Sequence, residues 1–80
     1  MNRSDYSKKR RFLSSRLIEA REQAGLSQKQ VSDSKIISQS ELSKIENGVR
    51  RVDFLILIEL AKFYKCPIAF FIPDYESVKQ

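Results

Sequence analysis

The residues with hydrogen-bonding chemistry are concentrated in a seven-residue pattern that occurs twice. Residues 26–32 read LSQKQVS and residues 37–43 read ISQSELS, eleven positions further along the chain. In both, a serine can cap the start of a helix while the Gln or Glu three residues later bonds back to the cap backbone. An apolar residue just before the cap can pack on another just after it, as a hydrophobic staple. The pattern therefore predicts two short helices, over about 28–34 and about 39–46.

The second of these helices has one strongly polar face. Leu42 and Ile45 are three residues apart and are predicted to face the core. The outer positions then carry amides, hydroxyls and a single lysine: Gln39, Ser40, Ser43, Lys44 and Asn47. An amide can bond to the N6/N7 edge of adenine, and serine can pair with any base edge. Any solvated helix face is polar, but the doubled cap, the short connection and the basic flanking sequence favour a helix-turn-helix that contacts DNA.

Catalysis and metal binding are poorly supported by the composition. The chain has one cysteine and no histidine, which makes a zinc or transition-metal site improbable and excludes Cys–His and Ser–His–Asp nucleophiles. We therefore predict no enzyme activity, no metal and no cofactor. Cys66 is interpreted as a semi-buried apolar residue near a helix end rather than a reactive thiol.

The length and composition predict one soluble domain. The chain has 80 residues, of which 41% are hydrophobic and 31% charged. Its longest apolar run, Phe54 to Ile58, is far below the ~18 residues of a membrane span. No secretory signal is evident, and a single cysteine fits a reducing compartment, so a cytoplasmic location is expected.

The positive charge is unevenly distributed. The net charge of +5 divides into +4 for residues 1–24, +2 for residues 25–51 and −1 for residues 52–80. A basic, partly segregated surface favours a polyanionic partner, although charge alone does not separate this from solubility.

The remaining elements complete an all-α fold of five short helices. Residues 1–10 are predicted to be a flexible basic arm, residues 11–73 the folded domain and residues 74–80 a polar C-terminal tail. Helix 1 ends at Gly25. Helix 4 is expected over about 54–64 and a short helix 5 over about 68–72, ended by a proline.

The segment GLSQKQVSDSKIISQSELSKIENG resembles the helix-turn-helix of the phage repressor and Cro (Xre) family of transcriptional regulators. The resemblance extends over about residues 12–72. It implies a five-helix, lambda-repressor-like DNA-binding domain that acts as a homodimer on palindromic double-stranded operators. The residues it places at bases or phosphates are Gln28, Ser38, Gln39, Ser40, Ser43, Lys44, Asn47, Arg50 and Arg51.

The resemblance also implies an ion pair between Arg21 and Glu46 that links helix 1 to the end of helix 3. A phosphate contact is the alternative role for Arg21. Glu41 is assigned to its capping box rather than to a base.

The sequence departs from the family pattern in the turn and in helix 4. Ile36 stands where the turn usually has glycine, and Lys35 where a core leucine is common, which predicts either a different bend or an end of helix 2 one residue early. Helix 4 is apolar all round, and such a helix is generally buried on more than one side. We therefore expect a symmetric dimer through helices 4 and 5, with closure of the monomer core by Phe63 and Phe70 as the alternative. The expected interface residues are Leu55, Ile56, Phe63, Phe70 and Phe71.

Together these observations predict a sequence-specific regulator of transcription, and a repressor in particular. Helix 3 would read an operator half-site, while arginine and lysine contacts to phosphates would supply salt-dependent affinity. The alternative is a protein-interaction module, such as an antitoxin-type regulator, that binds a partner through the apolar surface of helices 4 and 5.

Overall fold

The computed structural model describes residues 2–73, and within that range the chain is helical and contains no strand. The four α-helices and one 3-10 helix are α1 (Arg3–Gln23), α2 (Gln28–Asp33), α3 (Gln39–Glu46), α4 (Phe54–Phe63) and the 3-10 helix Ile68–Phe71. The all-α prediction is confirmed. The prediction of a fifth α-helix is corrected, because the last element is a 3-10 turn.

The fifth element is a 3-10 helix because it is short and bounded by prolines. Pro67 precedes it and Pro73 follows closely, and proline cannot donate a backbone hydrogen bond. The amide of Phe70 donates to the carbonyl of Pro67 at 3.0 Å, and that of Ile72 to the carbonyl of Ala69 at 3.1 Å. Both bonds span three residues, which is the 3-10 pattern.

The first helix begins much earlier than the sequence indicated. Residues 1–10 were expected to form a flexible arm, but α1 is helical from Arg3 onward. Asn2 caps it, because its Oδ1 accepts the amide proton of Asp5 at 2.9 Å. The Asp5 carboxylate also lies in the first turn, where negative charge stabilises a helix. The predicted tail, residues 74–80, lies outside the described residues.

The core lies where the helices converge. Leu17 of α1, Val31 of α2, Leu42 of α3 and Leu60 of α4 are all fully buried. α2 packs on α3, while α1 packs on both α3 and the 3-10 helix. The two apolar positions predicted on helix 3 are thus anchored, since Ile45 is also buried.

The turn between α2 and α3 starts one residue earlier than the approximate helix bounds indicated, because α2 ends at Asp33 rather than near 34. Lys35, and not Ile36, has the left-handed backbone conformation, with φ of 71°. Its amide donates to the carbonyl of Ser32 at 3.0 Å and closes the helix end. Ile36 is half-buried and packs against the core. A β-branched side chain avoids positive φ, so the exposed Lys35 takes the left-handed position, and the early end of helix 2 that Ile36 predicted is confirmed.

Three helices end with the same C-terminal capping motif. Gly25, Gly48 and Lys65 follow α1, α3 and α4 with φ of 74°, 79° and 57°. In each case the next amide donates to the carbonyl five positions back, as from Leu26 to Arg21 at 3.1 Å. This is the Schellman arrangement, and it confirms Gly25 as the end of α1.

Candidate nucleic-acid interface

The start of α3 is fixed by Ser38. Its Oγ accepts the amide proton of Glu41 at 3.1 Å. In α2 the equivalent box is complete, since Ser27 Oγ accepts from the Gln30 amide at 3.1 Å and Gln30 Oε1 accepts from the Ser27 amide at 2.8 Å. The Glu41 side chain makes no such return bond to another described residue. The predicted second capping box is therefore only half formed.

The outer face of α3 is free for a ligand. Gln39, Ser40, Lys44 and Asn47 are exposed, and Ser43 is half-buried. Within residues 2–73, their side chains form no hydrogen bond with another residue. Since Leu42 and Ile45 anchor the opposite face, the helix presents its amides, hydroxyls and lysine outward. These are the groups that can hydrogen-bond to base edges in a major groove.

The other end of α3 is held by a buried carboxylate. Glu46 Oε2 accepts from Arg21 Nε at 2.8 Å, and Oε1 accepts from Arg21 Nη2 at 3.1 Å. The side chains of Arg21 and Glu46 are only 13% and 3% exposed. The hydrogen bond to Glu46 is the main reason that the pKa of the Arg21 guanidinium is raised. A bidentate pair of this kind fixes orientation as well as charge.

Arg21 has a third partner inside the domain. Its Nη1 donates to the backbone carbonyl of Leu26 at 2.8 Å, in the connection before α2. All three nitrogens of the guanidinium therefore bond to the protein itself. This geometry favours the structural role for Arg21 over the phosphate contact.

Gln28 joins the same network. Its Nε2 donates to Glu46 Oε1 at 2.9 Å, and its side chain is half-buried. This direct hydrogen bond braces the end of α3 against the start of α2. Its predicted contact with a phosphate stays a prediction.

The first half of α1 supports the loop that follows α3. Ser14 Oγ donates to the carbonyl of Ile45 at 2.9 Å, and Arg10 Nη2 donates to the carbonyl of Gly48 at 3.0 Å. Arg10 and Ser14 are four residues apart and so lie on one face of the helix. Sequence reasoning predicted neither contact, because the bonded residues are 38 and 31 positions apart in the chain. The i, i+4 spacing of a polar pair was the signal available.

The loop after α3 carries two exposed arginines. Arg50 and Arg51 line a cleft of about 360 Å³ together with Lys9 and Arg10. The guanidinium carbon of Arg51 lies 5.6 Å from the ring centroid of Tyr6, and that of Arg10 lies 5.8 Å from it. These cations form a basic surface next to the C-terminal end of α3.

The predicted dimer residues separate into exposed and buried groups. Leu55 is 69% exposed, while Phe63 is 37% exposed. Ile56 and Phe70 are half-buried against the core, and Arg16 lies 4.2 Å over the Phe70 ring. Phe71 is only 2% exposed, so its assignment to an interface was wrong. The 3-10 helix folds back on α1 and thereby places Phe71 in the core.

The exposed apolar surface includes residues that the sequence analysis did not select. Phe54 is 65% exposed and Ile68 is 36% exposed, and both line one shallow cleft on the α4 side of the molecule. We use the term α4 surface for the exposed residues Phe54, Leu55, Phe63 and Ile68. Phe54 and Ile68 share this cleft, and large exposed apolar side chains that lie close together often mark an interaction site.

Two titratable groups have pKa values that are raised by burial. The hydroxyl of Tyr64 is buried and has no hydrogen-bond partner among the described residues. Burial, and then the nearby Glu46 carboxylate, raises the pKa of Tyr64 to about 12. Burial also raises the pKa of the half-buried Cys66 thiol. A raised pKa lowers the thiolate fraction, which agrees with the interpretation of Cys66 as an apolar residue.

Other classes of site are not visible in this part of the molecule. Among residues 2–73, no cluster of three or more Cys, Asp or Glu side chains could hold a metal ion. No helix in the same range combines the length and apolar character that crossing a membrane requires.

The fold and this polar helix define the helix-turn-helix class of DNA-binding domains. Comparison with known families agrees, because a family described as "Helix-turn-helix" matches residues 17–71. The match covers more than half of the chain, which therefore belongs to this Xre/Cro-like family of helix-turn-helix regulators. No curated protein and no solved structure matches the chain. The family is one of DNA-binding regulators and is not typically enzymatic.

Proposed function

We propose that the protein is a sequence-specific regulator of transcription that reads a double-stranded operator half-site with α3. The observation that carries this proposal is the exposed polar face of a helix whose two ends are fixed. Ser38 caps its start, and the buried Glu46 ties its end to Arg21 and Gln28. A rigid support of this kind keeps base-reading side chains within the small positional tolerance that a specific site requires.

Each group on this surface has a role that follows from its chemistry. Gln39 can form a bidentate contact with adenine, and Ser40 and Ser43 can bond to other base edges. Gln28, Ser38, Lys44 and Asn47 are proposed to contact bases or adjacent phosphates. Arg50 and Arg51 are exposed beyond the end of α3, where they would bind backbone phosphates. Phosphate contacts hold the register of a protein on DNA, whereas base contacts select the sequence.

We further propose a homodimer on a palindromic operator, with repression by occupancy of the site. The α4 surface supports the dimer, since Leu55 and Phe54 are more than half exposed. Two copies related by a two-fold axis would place their α3 helices about 34 Å apart, one turn of DNA. Ile56 and Phe70 would stay with the monomer core in such a dimer, because both pack against it.

A binding assay at two salt concentrations tests the proposed function. We expect the protein to bind random-sequence duplex DNA, and to bind it at least tenfold more weakly at about 200 mM than at about 50 mM salt. Arg50→Ala should reduce the slope of log Kd against log salt by about one contact. Lys62→Ala is the matched control, because Lys62 is an exposed cation on α4 and should leave the slope unchanged. Absence of DNA binding at both salt concentrations would contradict the proposal.

The α4 surface also supports a second candidate function, binding of a different protein in the manner of an antitoxin-type regulator. The exposure of Phe54, Leu55 and Ile68 fits either partner. The free polar face of α3 argues against protein binding as the sole function. A chain that binds no DNA and remains monomeric at high concentration would favour this second candidate.

A further inference from the structure

The N-terminal half of α1 lies outside the family match, which begins at residue 17. It is nevertheless tied to the loop that follows α3. Arg10 donates to the Gly48 carbonyl at 3.0 Å, and Ser14 donates to the Ile45 carbonyl at 2.9 Å. The ring of Tyr6 lies beside both Arg10 and Arg51, with guanidinium carbons 5.8 and 5.6 Å from its centroid.

We infer that this half of α1 organises the phosphate contact of the loop after α3, with Tyr6 as the positioning residue that holds Arg51 toward the DNA backbone. The inference rests on the proposed function and extends the contact surface beyond the helix-turn-helix. The ligand class is the phosphodiester group of a duplex that flanks the half-site read by α3.

The chemistry of the two arginines differs. Arg10 forms a hydrogen bond within the protein, from its Nη2 to the Gly48 carbonyl. This bond holds the loop against α1. Arg51 is exposed and makes no ion pair or side-chain hydrogen bond with another residue in 2–73. A contact with an aromatic face attracts a guanidinium without using its N–H donors. Arg51 therefore keeps its planar donors for a phosphate, while the Tyr6 ring limits the directions in which they can point.

The electrostatic surroundings favour an anion at this place. The cleft is lined by four cations, Lys9, Arg10, Arg50 and Arg51, and no carboxylate is among its lining residues. Leu13, Val52 and Phe71 form an apolar floor beneath them. Cations that border a concave surface of low polarity raise the local potential and attract polyanions.

The test compares two substitutions of Tyr6 in binding to duplex DNA over a range of salt concentrations. Tyr6→Phe keeps the ring and should bind as the wild type does. Tyr6→Ala removes the ring and should weaken binding about two- to fivefold, the range expected for an exposed cation–aromatic contact. The loss should be equal for a selected site and for scrambled DNA, because phosphates carry no sequence information.

A double-mutant cycle separates positioning from a general effect on the fold. Arg51→Ala should lower the salt slope by about one contact. If Tyr6 acts through Arg51, then adding Tyr6→Ala to Arg51→Ala should cause no further loss of affinity. Full additivity of the two losses would overturn the inference, as would wild-type affinity and slope in Tyr6→Ala.

The outcome also distinguishes this inference from the proposed function. If the wild type binds DNA and Tyr6→Ala binds it equally well, the inference is refuted but the proposed function stands. Wild-type protein that binds no DNA removes both. The exposed position of Arg51 makes Arg51→Ala a variant that should fold even if Tyr6→Ala disturbs the start of α1.

Discussion

The side-chain amide of Gln28 donates from Nε2 to Oε1 of Glu46 at 2.9 Å, and so joins the first residue of α2 to the last residue of α3. The same carboxylate receives two bonds from Arg21 of α1. Three helices therefore meet at one buried anion. Because Glu46 also ends the proposed recognition helix, this group fixes the orientation of the helix together with the buried Leu42 and Ile45.

The first prediction concerns this anion. Glu46→Ala should lower the free energy of unfolding by about 3–5 kcal/mol, because it leaves the Arg21 guanidinium buried without its partner. Chemical denaturation followed by circular dichroism measures the change. Glu41→Gln is the matched control, since Glu41 is an exposed carboxylate on the same helix and should change stability by less than about 0.5 kcal/mol. Equal effects of the two substitutions would contradict a structural role for Glu46.

The second prediction concerns the turn between α2 and α3. Lys35→Gly should stabilise the domain, because Lys35 has φ of 71° and the left-handed region costs a side-chain-bearing residue about 1–2 kcal/mol. Part of that gain is offset by the greater freedom of glycine in the unfolded chain, so we expect a net gain of about 0.5–1 kcal/mol.

Lys29→Gly is a control that should change the stability of the domain in the opposite direction. Lys29 lies inside α2, where glycine should cost about 1 kcal/mol. Thermal unfolding of the two variants should therefore shift in opposite directions. Destabilisation by Lys35→Gly would show that the turn has a different backbone conformation.

The third prediction concerns pH. The pKa of Tyr64 is raised to about 12 in the folded chain from an ordinary 10, so the unfolded chain releases this proton first as pH rises. The contribution to stability is then fully present below pH 10 and is lost between pH 10 and about 12. The wild type should lose about 2 kcal/mol more than Tyr64→Phe across this window.

The same variant provides its own reference at neutral pH. Phenylalanine removes a buried hydroxyl that has no partner among residues 2–73. At about pH 7, Tyr64→Phe should therefore be as stable as the wild type or more stable by up to about 1 kcal/mol. Parallel stability profiles of the two proteins from neutral to alkaline pH would refute the buried, neutral state of Tyr64.

The fourth prediction concerns assembly. Leu55→Lys should give a folded monomer, because Leu55 is 69% exposed and so belongs to no packed region of the monomer. Light scattering reports the mass, and circular dichroism reports the fold. Gln23→Lys adds the same single charge at an exposed polar position of α1, and it should leave the dimer intact. A dimer of unchanged stability in Leu55→Lys would remove α4 from the interface.

Local patterns in the sequence predicted most of the helix-turn-helix. Ser27 and Ser38 are both caps, and α3 has the expected bounds of 39–46. These features are encoded by residues three or four apart, which is why they can be recognised without a structure. Gln39 and Lys44 are exposed for the same reason, since the positions of Leu42 and Ile45 determine the inner face.

The errors concern features that depend on tertiary contacts. Tyr6 and Arg10 contact the loop after α3, and a contact between segments so far apart in the chain is not encoded by neighbouring residues. Phe71 looks like a surplus apolar residue until the 3-10 helix is seen to fold over the core. The sequence indicated that helix 2 could end early, but it did not identify Lys35 as the left-handed residue, which follows from the packing of Ile36 against the core.

Base reading by α3 is tested most directly by measuring the DNA selectivity of Gln39→Ala. Sites selected from a random DNA pool provide a specific duplex, and its scrambled version provides a non-specific one. If α3 reads bases, Gln39→Ala should weaken binding to the selected duplex by about 1–3 kcal/mol and leave binding to the scrambled duplex unchanged. Equal weakening on both duplexes, or no change on either, would contradict base reading by α3.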